Sequence, residues 1–218
     1  METGKVIDFQ SLTEKVGRFN LSNKTCLIPE MNRIGTHLLA AVFRGFGINA
    51  KIMDTYKGLD LGMEHTSGKE CYPCQITMGD ILYYMQEEAK RLGDDFDPED
   101  YIYFMPEADG PCRFGMYNKY QRIVLDSFPE LSRLKIGSLS SEDGYSLAGI
   151  IEDSRVRDLR KASYFSLVIG DILDRLLWRI RPYEKEPGLT DDFIESSMHR
   201  MEDTLEQLGP AKNRPELF

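Results

Sequence analysis

The chain has 218 residues, 41% of them hydrophobic and 29% charged, with a formal net charge of −9. That is material for one large domain, or one domain with an appendage, and for a core that needs no disulfide staples. The acidic balance and the lack of a Lys/Arg cluster argue against nucleic-acid binding, which needs a basic face to release counterions, and no apolar run reaches the ~20 residues of a membrane-spanning helix.

The N-terminus, METGKVIDFQSLTEKVGRF, mixes both charges and has no apolar h-region. It does not read as a secretion signal, so the cytoplasm is the expected compartment. Residues 1–23 read as a polar arm, loose or forming a short helix. TCLIPEMN then predicts a short buried strand, stopped at Pro29. RIGTHLLAAVFRGFG predicts a helix, with Thr36 as a plausible N-cap and Gly47 as its end. INAKIMD predicts a second strand. Strand, helix and strand in so short a span make a βαβ unit, which calls for a parallel sheet.

TYKGLDLGMEHTSGKE, with three glycines, reads as a loop that delivers the chain to Cys71. Ile76, Ile81, Leu82, Met85, Ala89 and Leu92 fit a helix from Gln75 to Leu92. Pro73 lies near its first turn, where a missing N–H costs little. GDDFDPED reads as a turn and YIYFMP as a third strand. EADGPCRFGMYN is a loop carrying Cys112, and a helix follows through about Phe128. RLKIGSLS predicts a fourth strand, and SSEDGYSLAG another loop. Beyond residue 150 the strands disappear. Phe165, Val168, Ile169, Ile172, Leu173, Leu176, Leu177 and Ile180 repeat at helical spacing up to Pro182. A second helix starts near Thr190, with Asp191 and Asp192 at its positive end, and stops at Gly209-Pro210. The expected organisation is an arm over 1–23, a Rossmann-like α/β domain over 24–150, and a helical segment over 151–218 packed on that domain or on a partner.

Four cysteines in a reducing compartment read as ligands, redox thiols or core residues rather than as a disulfide framework. Ligands of an open parallel sheet lie outside the carboxyl ends of its strands. Cys71 and Cys74 follow the second strand and Cys112 follows the third, so parallel strands bring these three thiols to one edge. Cys26, inside the first strand, reads as a core residue. Three converging thiols leave several chemistries open. A structural zinc site wants a fourth ligand, for which His37 and His65 are candidates by proximity, though each also reads as an ordinary surface or cap histidine. A cubane iron–sulfur cluster normally takes four cysteines, and three leave one iron open. Gly68, Gly110 and Gly115 then let backbone N–H groups approach the sulfurs. A Cys-Tyr-Pro-Cys dithiol at a helix N-terminus, as in thioredoxin-like proteins, is the redox alternative, and it gives Cys112 no task. A structural role for the thiols completes the set.

SGKECYPCQITMGDILYYM followed by YFMPEADGPCRFGMYNKYQRIVLD resembles the 2-hydroxyacyl-CoA dehydratase component D family. It is closest to the cluster-binding region of large CoA-enzyme activase-like proteins, those related to the 2-hydroxyglutaryl-CoA dehydratase activator. RPYEKEPGLTDDF, residues 181–193, is similar to a further stretch of those relatives, and the resemblance spans roughly residues 24–208. It implies a Rossmann-like fold and a 4Fe–4S or double-cubane cluster held by Cys71, Cys74 and Cys112. It also implies low-potential electron transfer in anaerobic metabolism, in which an ATP-driven activator reduces the cluster-bearing component and that component reduces an acyl-CoA thioester or similar molecule. The relatives usually have two such α/β domains, so a second Rossmann-like domain, an activator or another copy of the chain is an expected partner. The acidic, Gly-rich phosphate motif of an activator ATPase is absent, so the chain is not expected to hydrolyse ATP. Arg33, Lys57 and Arg113 lie in or near the presumed crevice loops, where they could meet phosphate or carboxylate. Glu30 and Glu70 are acid/base candidates that read equally as turn or cap partners.

Overall fold

The computed structural model describes residues 9–207. The readings made on residues 1–8 and on the helix stop at 209–210 lie outside them. In chain order the elements are α1 (Phe9–Lys15), β1 (Val16–Gly17), β2 (Thr25–Pro29), α2 (Arg33–Gly45), β3 (Asn49–Met53), α3 (Leu59–Glu64), α4 (Tyr72–Leu92), β4 (Tyr101–Phe104), α5 (Tyr117–Leu125), β5 (Lys135–Gly137), α6 (Asp153–Ile180) and α7 (Leu189–Gln207).

The five strands form one sheet in the order β1-β5-β4-β2-β3, and every pair is parallel. This is the α/β, Rossmann-like sheet flanked by helices that the βαβ reading called for. Cys26 pairs with Ala50 on one side and Ile102 on the other. Side chains of β2 alternate between two cores, as the period of a strand requires. Cys26 and Ile28 pack with Phe43, Ala50 and Phe104 on the face covered by α2. Leu27 packs with Met78, Ile81 and Tyr103 on the face covered by α4 and α5. Helices on both faces explain why β4 is buried at all four positions instead of alternating with polar residues.

Several expectations are corrected. Asn32, not Thr36, caps α2: its side chain accepts the Gly35 N–H at 2.7 Å, while Thr36 is buried a turn later. Asparagine in extended backbone is a strong N-cap, so the helix begins before its first threonine. Of the two readings of the N-terminal arm, residues 9–17 follow the short helix and add a strand that was not expected. They form α1 and the edge strand β1, which pairs with β5, and both Ser11 and Lys15 bind the Asp126 carboxylate. The glycine-bearing loop after β3 holds a helix, α3. Its glycines serve close packing. A Cβ on Gly62 would lie 1.9 Å from the Gln75 carbonyl oxygen, and one on Gly79 2.0 Å from that of Gly58, so α3 and α4 meet backbone to backbone. The helix from Tyr117 ends at Leu125 rather than at Phe128.

The C-terminal helices pack on α2. α6 starts twelve residues before Phe165, at Asp153, and crosses α2 where Gly170 meets the backbone of Gly35. Ile34, Leu38, Leu173, Ile194 and Met198 form the core among α2, α6 and α7. No helix among the described residues is long and apolar enough to cross a membrane.

Candidate functional site

The order of the strands sets the position of the site. β3 lies to one side of β2 and β4 to the other. The winding order therefore switches sides at β2, and the crevice opens beyond the carboxyl ends of β2 and β4. The Cys71–Cys74 turn follows β3 and the Cys112 loop follows β4, so both emerge on this edge.

Cys71 is the N-cap of α4, in extended backbone, and Cys74 lies one turn inside, its N–H donating to the Cys71 carbonyl at 2.9 Å. Tyr72 and Pro73 between them are exposed. Two thiols thus share the positive end of a 21-residue helix. The preceding turn is held by Glu70, whose carboxylate accepts from the Ser67 N–H at 2.9 Å and the Ser67 hydroxyl at 3.0 Å. Gln75 reaches back to Thr66 at 3.1 Å. Gly68 has φ +78 and Gly110 φ +101, backbone that L side chains rarely adopt. A Cβ on Gly115 would lie 2.4 Å from the Ala108 carbonyl oxygen, so that glycine lets the Cys112 loop close on itself.

The two loops are joined. The Arg113 guanidinium donates to the Lys69 carbonyl oxygen, and the Tyr120 hydroxyl donates to the His65 carbonyl at 2.8 Å. Tyr117, 6% exposed, sits where they meet. Its hydroxyl is pushed up by burial, by a hydrogen bond to Cys71, and by the charge of Cys71, Cys74 and Cys112. One side chain therefore feels all three thiols. They differ in access: Cys112 is exposed, Cys71 half-buried and Cys74 buried at 2%. Burial pushes the Cys74 thiol up to about 12, with the charges of Glu70 and Cys71 adding to it. Cys26, wholly buried in β2, is likewise pushed up to about 12 by burial and stays away from this edge. Among the described residues, no three of the His, Cys, Asp and Glu side chains are arranged to hold a metal ion. Three thiols on two clamped loops are donors of the type an iron–sulfur cluster takes, one fewer than the four cysteines that normally hold a cubane.

The other residues singled out from sequence have structural partners. Arg33 pairs with Glu195 at 2.5 Å, Lys57 with Asp54 at 2.6 Å and His37 with Glu202 at 3.0 Å. His65 packs edge-on against Phe128. Glu30 is half-buried just past β2.

Three features escaped the sequence reading. Asp80, on α4, is 1% exposed and neither carboxylate oxygen has a hydrogen-bond partner. Burial pushes its carboxyl up to about 6, and the charges of Glu30 and Asp54 add to the rise. An acid between Ile76 and Ile81, on the apolar side of the helix, was the available signal. Beneath the thiols runs a buried polar chain. The Gln121 amide donates to the Thr77 hydroxyl at 3.0 Å, which donates to the Pro73 carbonyl at 2.8 Å. Finally, a cleft of about 380 Å³ opens beyond β1 and β5, lined by Arg18, Glu107, Lys119, Ser138 and Ser140. Lys119 and Asn118 bind Glu107 at 2.7 and 2.9 Å and hold its carboxyl below the usual range, although burial alone would raise it.

Compared with known proteins, the chain matches no family model, no curated protein and no solved structure.

Proposed function

We propose that the chain is an iron–sulfur protein of the 2-hydroxyacyl-CoA dehydratase or activator-related type. Cys71, Cys74 and Cys112 would hold a 4Fe–4S or double-cubane cluster. When bound, that group supplies low-potential electron transfer, coupled through an ATP-dependent activator to reduction or dehydration of an acyl-CoA or similar molecule. The observation that supports the reading is geometric: the Cys71–Cys74 turn after β3 and the Cys112 loop after β4 emerge on one edge of the sheet and are tied together by Arg113 on the Lys69 carbonyl. The chain's own residues then have definite tasks. Gly68, Gly110 and Gly115 shape the two loops, Arg113 clamps them together, and the Tyr117 hydroxyl lies beside the thiols, where a hydrogen bond to ligand sulfur would tune a cluster's potential.

The test is iron and acid-labile sulfide content after anaerobic purification, with absorption spectra before and after dithionite. Iron with matching sulfide and a visible band that bleaches on reduction are the expected result. Cys112→Ala should lose most of the iron and Cys26→Ala none of it. Full iron retention by Cys112→Ala would remove the assignment.

A second reading is a thiol–disulfide exchange protein, favoured by Cys71 at the N-cap of α4 with Cys74 one turn inside. It expects a reversible Cys71–Cys74 disulfide, with Cys112 dispensable. A third, a zinc-stabilised or metal-free interaction module of a larger assembly, draws on the apolar side chains that α6 leaves in solvent.

A further inference from the structure

We propose that two copies of this chain associate through α6, pairing antiparallel about Val168. The starting point is where the hydrophobic side chains of that helix point. Leu159, Ser166, Gly170 and Leu173 form its buried side. Phe165, Val168, Ile172 and Leu176, spaced by three, four and four residues, fall on a second stripe beside it. They are exposed by 53%, 37%, 52% and 40%. Ile180 and Trp178, at 46% and 68%, extend the exposed apolar surface toward the end of the helix. Scattered apolar residues on a surface are ordinary, whereas a continuous stripe along one helix marks a contact.

The position of α6 makes the stripe accessible. The helix runs against α2 from Arg155, which donates to the Phe46 carbonyl at 2.7 Å, to Gly170, which touches Gly35 in the first turn of α2. Contact with α2 continues past Gly170 through Leu173, which packs on Ile34 and Leu38, and Asp174, which accepts from the Asn32 amide at 2.9 Å. Residues 175–180 then extend about 9 Å further at 1.5 Å per residue, and no other described residue buries the stripe.

The charges at its ends identify the occupant as another copy. Asp158 lies seven residues before Phe165, and Arg179 lies seven residues after Ile172. Both are exposed. When Phe165 of one copy faces Ile172 of the other in an antiparallel pair, Asp158 faces Arg179, and the two-fold axis makes this contact twice. A parallel pair would set Asp158 against Asp158 and Arg179 against Arg179, which opposes association. The end charges Asp158 and Arg179 are thus matched in the antiparallel orientation and opposed in the parallel one.

Sedimentation velocity of the full chain, in reducing buffer from about 1 to about 100 µM, tests this. The expected result is a concentration-dependent dimer. Ile172→Glu and Asp158→Arg should each weaken it at least tenfold while leaving the far-ultraviolet circular dichroism unchanged. Asp158→Arg combined with Arg179→Asp restores the opposite charges across the pair and should restore the dimer. A monomer at every concentration, or a dimer indifferent to Ile172→Glu, overturns the proposal. A dimer weakened by Ile172→Glu but indifferent to Asp158→Arg overturns the antiparallel arrangement. Should Ile172→Glu fail to fold, the charge-reversal pair decides alone.

Discussion

α4 and α6 are the two longest helices, and they break the usual segregation of residues in opposite ways. α4 lies against the sheet and carries Asp80, Thr77 and Glu88 into the interior, each under 10% exposed. α6 lies outside α2 and leaves Phe165, Ile172 and Trp178 more than half exposed. Burying an unpaired polar group is costly, and so is leaving a row of apolar groups in water, though less so per group. The contrast teaches that a helix's own periodicity does not reveal which of its sides meets protein. Departures from the expected segregation mark the side with a task beyond folding.

Paired substitutions sharpen that contrast. The largest effect is expected on the buried side of the molecule. Arg122, fully buried on α5, donates to the Leu134 carbonyl and pairs with Asp126 at 3.0 Å. Arg122→Ala should cost about 3–5 kcal/mol in chemical denaturation, because a buried carbonyl loses its donor, Asp126 loses one of its partners and a fully buried side chain leaves a gap. Ile81→Ala, at a position wholly buried in α4, should cost about 2–5 kcal/mol. Ile172→Ala on α6, measured at low protein concentration, should cost less than about 1 kcal/mol. Equal costs at the two isoleucines would erase the distinction between the helices.

Asp80 offers a test of opposite sign. Its folded-state pKa, about 6, lies above the ordinary 3.8. The folded chain thus holds a proton that the unfolded chain has released between those values. The stability contributed by this group falls as pH rises through that window, by roughly 2–3 kcal/mol, and is level above it. Asp80→Asn should therefore be more stable than the parent at pH 7 and nearly equal to it at pH 4. An Asp80→Asn chain that is less stable at pH 7 would mean that the carboxylate has a partner. The smallest effect is expected at the exposed Arg33–Glu195 pair, where Arg33→Ala should change stability by at most about 1 kcal/mol.

Much of the sheet was legible in the sequence because its strands are short apolar runs closed by Pro, Gly or polar turns. β1 was not, since two residues carry no period and only pairing with β5 makes them a strand. α3 was hidden because glycines read as loop, whereas Gly58 and Gly62 are there to let two helices touch. The placement of Cys71, Cys74 and Cys112 on one edge followed from strand order alone. The joint between their loops did not. Arg113 looked like a cation for a phosphate and instead holds a backbone carbonyl 44 positions earlier in the chain. Tyr117 carried no signal of its own in the sequence. Contacts between distant loops leave no mark in local spacing, and those are the contacts that turn three separate cysteines into one place.

β1 also sets an order of events during synthesis. Val16 and Gly17 pair with Ile136 and Gly137, and Ser11 and Lys15 bind Asp126. A growing chain has made its first strand long before the strand beside it exists. Contacts this distant in sequence form late, because the intervening loop must be closed first. The β2, β3 and β4 ladder can assemble while residues 9–17 wait. Pairing of residues 9–17 with β5 is therefore expected among the late steps of folding, and until it forms β5 offers an open flank to any other strand nearby.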